Sequence, residues 1–242
     1  MAPASGSLKR GTSAVGEALS AEHILQTCPL FHGLDAAGRH DLAKHARRQP
    51  VAAGAAIFDV GAPGTSMMAV LHGGVRISLP SARGKEIILA DLGAGDVFGE
   101  IALLDGQPRS ASARARVAST LLVLERRDVH ALLRKRPEFC LSLIEVLCAR
   151  LRRSDERMAD LAFFDLPARL ARTLLKRKTE AVSAGRESPL SQSDIAKMIG
   201  ASREPVNRCL RDWERRGLVS LDGGRIAMID IDAISALAGA VA

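Results

Sequence analysis

No stretch of this chain approaches the roughly 20 consecutive apolar residues that a bilayer-spanning helix needs, although hydrophobic residues fill 47% of its 242 positions. The apolar content excludes a mainly disordered chain, and the lack of a spanning run leads to the expectation of a soluble protein. Cysteine is scarce. Cys28, Cys140, Cys148 and Cys209 are scattered, with neither the Cys-x-x-Cys pairs of a zinc site nor the clustered thiols of an iron–sulfur cluster, so free buried thiols are expected. The six histidines include no pair spaced to share one helix face, so no metal or haem is expected either. Also missing are a Ser-His-Asp elbow, a Walker-type loop and a pair of carboxylates with a hydrolytic task, and an enzyme is therefore not expected. Residues 1–20 are rich in Ala, Ser and Gly, and Lys9 and Arg10 are followed by no apolar signal-peptide core; this segment reads as a disordered tail on a soluble, cytoplasmic protein.

What is present begins with charge. A formal net charge of +7 favours polyanionic partners, although charge alone does not separate nucleic acid from an acidic membrane surface. The length suits two ordinary domains. From Gly33 to Gly106 short β-favouring runs alternate with glycine-bearing turns, an all-β punctuation. Met67 to Leu71, Val75 to Leu79, Glu86 to Ala90 and Ser119 to Leu124 read as strands of a sandwich or jelly roll. Arg83-Gly84-Lys85 reads as an exposed hairpin tip, and Arg126-Arg127-Asp128 leads into a helical segment ending near Pro137.

Inside that set lies Phe98-Gly99-Glu100-Ile101-Ala102-Leu103-Leu104-Asp105-Gly106-Gln107-Pro108-Arg109-Ser110. The carboxylate of Glu100, the guanidinium of Arg109 and the hydroxyl of Ser110 gather around a turn built largely of glycine, proline and apolar residues. The grouping suits a small, rigid, singly charged phosphodiester. Glu100 can accept a sugar hydroxyl's hydrogen bond, and Arg109 offers a planar fork of donors to phosphate oxygens. Ser110 and backbone N–H groups near Gly99, Ile101 and Ala102 complete the cradle, with Gly99 permitting close approach and a short helical turn starting near Glu100.

Past Pro137 the period changes. Ile144, Leu147, Leu151, Ser154, Met158 and Leu161 recur at alternating spacings of three and four, a heptad seam on a helix that predicts pairing with a second copy. Arg150, Arg152, Arg153, Asp155, Glu156 and Arg157 fall on its other faces. Ser154 interrupts the seam and either fixes register or meets a ligand.

After Pro167 a helical run, Ala168 to Lys178, leads to a polar loop, Thr179 to Pro189. Ser191, followed by Gln192 and with Asp194 in the capping-box position, starts a helix carrying Ile195, Ala196 and Ile199, which Gly200 ends. Ser202 can cap the next helix, and Pro205 falls in its first turn. This is a helix-turn-helix. Val206 and Cys209 face the shared core and Trp213 is a packing residue, whereas Arg203, Glu204, Asn207, Arg208 and Arg211 lie opposite, where they can enter a major groove. Arginine pairs with guanine O6 and N7 and glutamate accepts from cytosine N4, so these side chains can discriminate G·C pairs. Leu218 to Leu221 and Arg225 to Ile229 flank Asp222-Gly223-Gly224, a hairpin that reads as a wing.

The run from Phe98 to Ser112 resembles the phosphate-binding cassette of cyclic-nucleotide-binding domains, and residues 22–234 resemble the CRP/FNR family of bacterial transcription regulators. The resemblance implies an α+β architecture in four parts. These are a tail over 1–20, a β-roll (jelly-roll-like) cyclic-nucleotide-binding domain over 21–136, a dimerisation helix over 137–163 and a winged helix-turn-helix DNA-binding domain over 164–242. It implies cyclic AMP or cyclic GMP as allosteric ligand, double-stranded DNA and a second copy as partners, and no membrane. Cyclic-AMP-responsive members carry a Thr-Ser pair whose hydroxyls contact adenine, one from each subunit; this chain has Ser154-Asp155 there. The Asp155 carboxylate can accept from adenine's amino group and equally from guanine N1 and N2, so either base stays open. The Arg-Glu-x-x-x-Arg spacing at Arg203, Glu204 and Arg208 implies a palindrome with TGTGA and TCACA half-sites, and the Thr179 to Pro189 loop corresponds to a surface that touches RNA polymerase. Two other readings stand beside this one: the same regulator answering another signal or none, and a cyclic-nucleotide regulatory subunit acting through protein contacts.

Overall fold

The computed structural model describes residues 25–26, 28–81, 85–183, 191–222 and 225–239. The tail over 1–20, Arg83-Gly84 of the hairpin tip, residues 184–189 of the polar loop and the wing's Gly223-Gly224 lie outside the described residues.

The N-terminal strands are β1 (Arg47–Val51), β2 (Ala56–Phe58), β3 (Ser66–His72), β4 (Val75–Pro80), β5 (Glu86–Leu92), β6 (Val97–Phe98), β7 (Ser112–Ala115) and β8 (Ser119–Glu125). They form two antiparallel four-stranded sheets, ordered β1-β8-β3-β6 and β2-β7-β4-β5. Side chains alternate across a strand, and β3 and β8 are apolar on both faces because both faces are covered. Met68, Val70 and Phe98 with Leu121 and Val123 pack toward the second sheet, against Val75 and Ala113. Met67, Ala69 and Leu71 with Leu122 and Leu124 pack the other way, against Leu25, Phe31, Val129, Phe139 and Leu143. Continuous apolar runs at Met67 to Leu71 and Leu121 to Leu124 follow from this double burial.

The expectation of purely β structure from Gly33 onward is corrected by α1 (Ala36–His45). Its sequence buries only Gly38 and Leu42, so it shows little apolar periodicity. What starts it is Asp35, whose Oδ1 accepts from the Gly38 N–H at 2.7 Å. Three further helices complete the half: α2 (Glu100–Asp105), α3 (Arg126–Lys135) and α4 (Pro137–Phe163), the last opening with Pro at its first position. The stack of Phe31 on Phe139, with ring centroids 5.8 Å apart, fixes the start of α4 against the β-domain. The 27 residues of α4 extend for about 40 Å at 1.5 Å per residue. Its buried residues, Phe139, Ser142 and Leu143, all lie in the first two turns.

The C-terminal half comprises α5 (Leu166–Ser183), α6 (Gln192–Met198), α7 (Arg203–Arg215), β9 (Val219–Asp222) paired antiparallel with β10 (Arg225–Met228), and α8 (Ile231–Gly239). Leu170, Ala171, Ile195, Val206, Leu210, Trp213 and Ile234 make its core. This half has its own interior, which shares no residue with the two β-domain clusters.

Candidate functional site

Strand β6 ends at Phe98, and Gly99 adopts φ +79° before Glu100 starts α2. A Cβ on Gly99 would lie 2.6 Å from Arg109 Nη1, so the absent side chain lets the guanidinium reach the backbone here. Arg109 Nη1 donates to the Gly99 carbonyl at 2.8 Å and Nη2 to Ser66 Oγ at 3.3 Å, while the guanidinium lies 4.2 Å from the centroid of Phe58. The Arg109 backbone is clamped in both directions: Gly61 N–H donates to the Arg109 carbonyl and Arg109 N–H donates to the Ala62 carbonyl, each at 2.8 Å. The residue is 4% exposed. Burial lowers its pKa from the ordinary arginine value; Arg126 acts in the same direction and Glu100 opposes. Among the described residues no carboxylate lies within 4.0 Å of it, and its Nε has no partner.

Glu100 is fully buried. Arg150, from α4, donates through Nη1 to Glu100 Oε1 and through Nη2 to the Val97 carbonyl. Glu100 Oε2 is buried without a hydrogen-bond partner. The structure therefore brings together Gly99, Glu100 and Arg109, as the sequence pattern expects, and adds Phe58, Ser66 and Arg150. Ala102 is buried with its carbonyl accepting from Arg126, whereas Ile101 and Ser110 are exposed. Ser154 and Asp155 are exposed too, and among the described residues no hydrogen bond or ion pair joins them to Glu100 or Arg109. Ser154 stands one helical turn beyond Arg150, which places it next to the cassette along α4. The seam residues Ile144, Leu151, Met158 and Leu161 are each more than half exposed, while Leu147 packs at the edge of the β-domain core.

A groove of about 810 Å³ lined by Thr65, Glu125, Arg126, Arg127, His130 and Arg134 contains neither Glu100 nor Arg109. Its Arg126 donates through Nη2 to the Gly64 and Ala102 carbonyls and leaves Nε buried without a partner, whereas the cassette holds both an unpartnered carboxylate oxygen of Glu100 and the unpartnered Nε of Arg109.

In the C-terminal half Ser191 Oγ accepts from the Asp194 N–H at 3.1 Å and caps α6 as expected. Gly200, at φ +65°, closes it: Ala201 N–H reaches back to the Ala196 carbonyl at 2.9 Å, the Schellman pattern that favours glycine. Ser202 occupies the N-cap position of α7 with extended backbone but makes no side-chain cap bond, which corrects the expectation that its hydroxyl caps the helix. Val206, Leu210 and Trp213 are buried, and opposite them Arg203, Glu204, Arg208 and Arg211 are exposed. Glu204 and Arg208 pair at 3.0 Å across one turn. Asn207 is half-buried rather than open, with its Oδ1 unpartnered; Gln192 is also half-buried. Burial, assisted by Asp212 and Asp165, pushes the Cys209 thiol up to about 11, in keeping with a packing role.

A cyclic nucleotide-binding domain model matches residues 48–136, and a Crp-like helix-turn-helix domain model matches residues 168–237. The chain is similar to the CRP-like cAMP-activated global transcriptional regulator of Mycobacterium tuberculosis, with 32% identity over 219 residues that cover 88% of this chain and 98% of that protein. It is also similar to the cyclic AMP receptor protein of Thermus thermophilus, with 37% identity over 199 residues covering 82% and 91% of the two. A solved regulator of the CRP/FNR family from Eubacterium rectale shares the fold at a TM-score of 0.73 and 22% identity, over 89% of this chain and 100% of that one. The nucleotide module and the DNA module thus occur in one order on one chain, and relatives align over nearly their whole length. The chain belongs to the CRP/FNR family of transcription regulators, as a member with a cyclic nucleotide-binding domain, and not to a family of enzymes.

Proposed function

We propose that the protein is a homodimeric, sequence-specific DNA-binding regulator gated by a cyclic nucleotide, with cyclic AMP the first candidate and cyclic GMP the second. The observation that carries this reading is Arg109: a residue 4% exposed whose guanidinium is bonded only to neutral oxygens, with no carboxylate within 4.0 Å among the described residues. A buried cation is costly unless an anion meets it, and a phosphodiester supplies that anion. The unpartnered Oε2 of Glu100 suits a ribose hydroxyl. Gly99, Ile101, Ala102 and Ser110 supply the remaining cradle, and Ser154 and Asp155 read the base. Arg150 already ties Glu100 to α4, so a ligand engaging Glu100 acts directly on the helix proposed to join the two subunits. Cyclic AMP is named first because two relatives are described by it; cyclic GMP is second because the Asp155 carboxylate can accept from either base.

The four-part division at 20, 136 and 163 belongs to the same proposal, as does a cytoplasmic location. Among the described residues no helix is long and apolar enough to cross a membrane. Ser191, Gln192 and Ser202 would hold the DNA backbone, while Arg203, Glu204, Asn207, Arg208 and Arg211 read a TGTGA and TCACA palindrome; RNA polymerase would meet the 179–189 segment. Calorimetric titration with cyclic AMP, cyclic GMP and cyclic di-GMP tests the ligand. Saturable heat at one site per chain with one of the first two is expected, and heat with none of them would favour a regulator answering another signal.

Dimerisation has its own test. Leu151 and Met158 are more than half exposed, so Leu151→Glu with Met158→Glu leaves the chain's own cores intact. The double variant should sediment as a monomer with unchanged circular dichroism. A persistent dimer would move the interface off this face of α4.

A further inference from the structure

Ion pairs join the two halves of the chain. Asp91, on β5, has a side chain 4% exposed and gathers three arginines: Arg76 of β4 at 2.9 Å, Arg116 at 3.4 Å and Arg177 of α5 at 3.6 Å. Arg76 grips Asp91 with Nε and Nη2 and reaches with Nη1 to Asp194 of α6. Farther along the hairpin, Lys197 Nζ of α6 lies 2.6 Å from Glu86 Oε2 of β5. Arg177, Asp194 and Lys197 come from the DNA-binding half; Arg76, Glu86 and Asp91 come from the nucleotide-binding half.

We propose that the β4–β5 hairpin and α6 form an ion-pair latch that holds the helix-turn-helix in its DNA-competent orientation. The proposal rests on the reading of α7 as the DNA-reading helix. Three observations argue for it. The latch is polar while each half keeps a separate apolar core, so the halves can part without exposing either interior. Closed, it engages α6 and leaves Arg203, Glu204, Arg208 and Arg211 of α7 exposed. It is also wired to the cassette by the sheet itself. Strand β7, which follows Arg109, pairs with β4, placing Ser112 opposite Ser78 and Arg114 opposite Arg76. A shift of the cassette strand therefore moves the strand carrying Arg76. Burial would weaken the Arg76 charge, but Asp91 and Asp194 together outweigh it and raise its pKa, as a tight central pair requires.

Glu86 and Lys197 are partly exposed, so their charges can be exchanged without rebuilding a core. The test compares full-length wild type, Glu86→Lys, Lys197→Glu and the double exchange. The readouts are hydrogen–deuterium exchange over 192–198 and anisotropy on a palindromic TGTGA/TCACA duplex with saturating cyclic AMP. Each single variant should exchange faster over 192–198 and bind the duplex about three- to tenfold more weakly, and the double exchange should return to within about twofold of wild type, as coupled contacts do. Glu86→Lys is the sharpest case, because added positive charge by itself strengthens attraction to DNA. Unchanged exchange in the single variants, tighter DNA binding by them, or a double exchange no better than the singles would each overturn the latch. A wild type that binds no duplex would instead sink the reading of α7, while the exchange data still report on the latch.

Discussion

Arg109→Met should abolish measurable cyclic-nucleotide binding, weakening it by at least about 100-fold, while leaving the melting temperature within about 3 °C of wild type. The first half follows from the two charge-assisted bonds that the guanidinium fork makes to a phosphate, each contributing roughly 1.5–3 kcal/mol. The second half is the less obvious one. Arg109 is buried against Phe58 and bonded to Gly99 and Ser66, which looks like a structural role. Removing it strands the Gly99 carbonyl and the Ser66 hydroxyl, at about 1–3 kcal/mol for each buried group left unsatisfied. It also removes a buried charge that, among the described residues, no carboxylate meets in a direct ion pair and that Glu100 offsets only from a distance, and replacing buried ionic groups with apolar ones of similar volume is often neutral or stabilising by about 1–4 kcal/mol. The opposed effects are of similar size, and Met can keep a sulfur contact with the Phe58 ring. Titration calorimetry and a thermal melt of the same preparation check both halves. Binding retained within tenfold would show that the cradle does not use the guanidinium, and a melting point lowered by many degrees would make Arg109 a residue of the fold.

What could be read from the sequence divides according to how local the cause is. The cassette was readable because its parts lie within one short run whose turn needs a glycine, and Gly99 does adopt φ +79° with Arg109 against its backbone. The helix-turn-helix was readable because the Ser191 cap, the Gly200 closure and Pro205 are all local signals. Arg150 was not. Among Arg152, Arg153 and Arg157 it looked like part of a solvated face, and only the crossing of α4 over β6 and α2 brings it to Glu100 and Val97. Phe58 and Ser66 reach Arg109 from strands far away in sequence, for the same reason. Strand β1 carries Arg47, Arg48, Gln49 and Pro50, a polar edge that pairs only with β8 and offers no alternation to read. The pairing of Arg76 with Asp194 depends on how the two halves settle against each other, which no local pattern encodes.

Removing the reading face of α7 should have the other large effect. Arg203→Ala with Arg208→Ala should lower affinity for a TGTGA/TCACA duplex by about 30-fold or more, since each bidentate arginine–guanine pair supplies roughly 1–3 kcal/mol of discrimination. Affinity for a scrambled duplex should fall only severalfold, and the slope of binding against salt should become shallower, because two cations near phosphates are lost with the base contacts. The geometry makes this separable from damage to the fold. Both side chains are exposed, while Val206, Leu210 and Trp213 bury the opposite face of the same helix, so the substitutions should change stability by no more than about 0.5 kcal/mol. Nucleotide binding should be unchanged, because Glu100 and Arg109 belong to a half whose core shares no residue with that of α7. Glu204 provides the internal control. It pairs with Arg208 at 3.0 Å, so Glu204→Ala both frees Arg208 from that pair and removes an acceptor for cytosine, which predicts relaxed discrimination with most of the overall affinity retained. If the ratio of specific to scrambled binding survived the double arginine substitution within twofold, base reading would have to come from another surface, and α7 would be left positioning the protein on the phosphates alone.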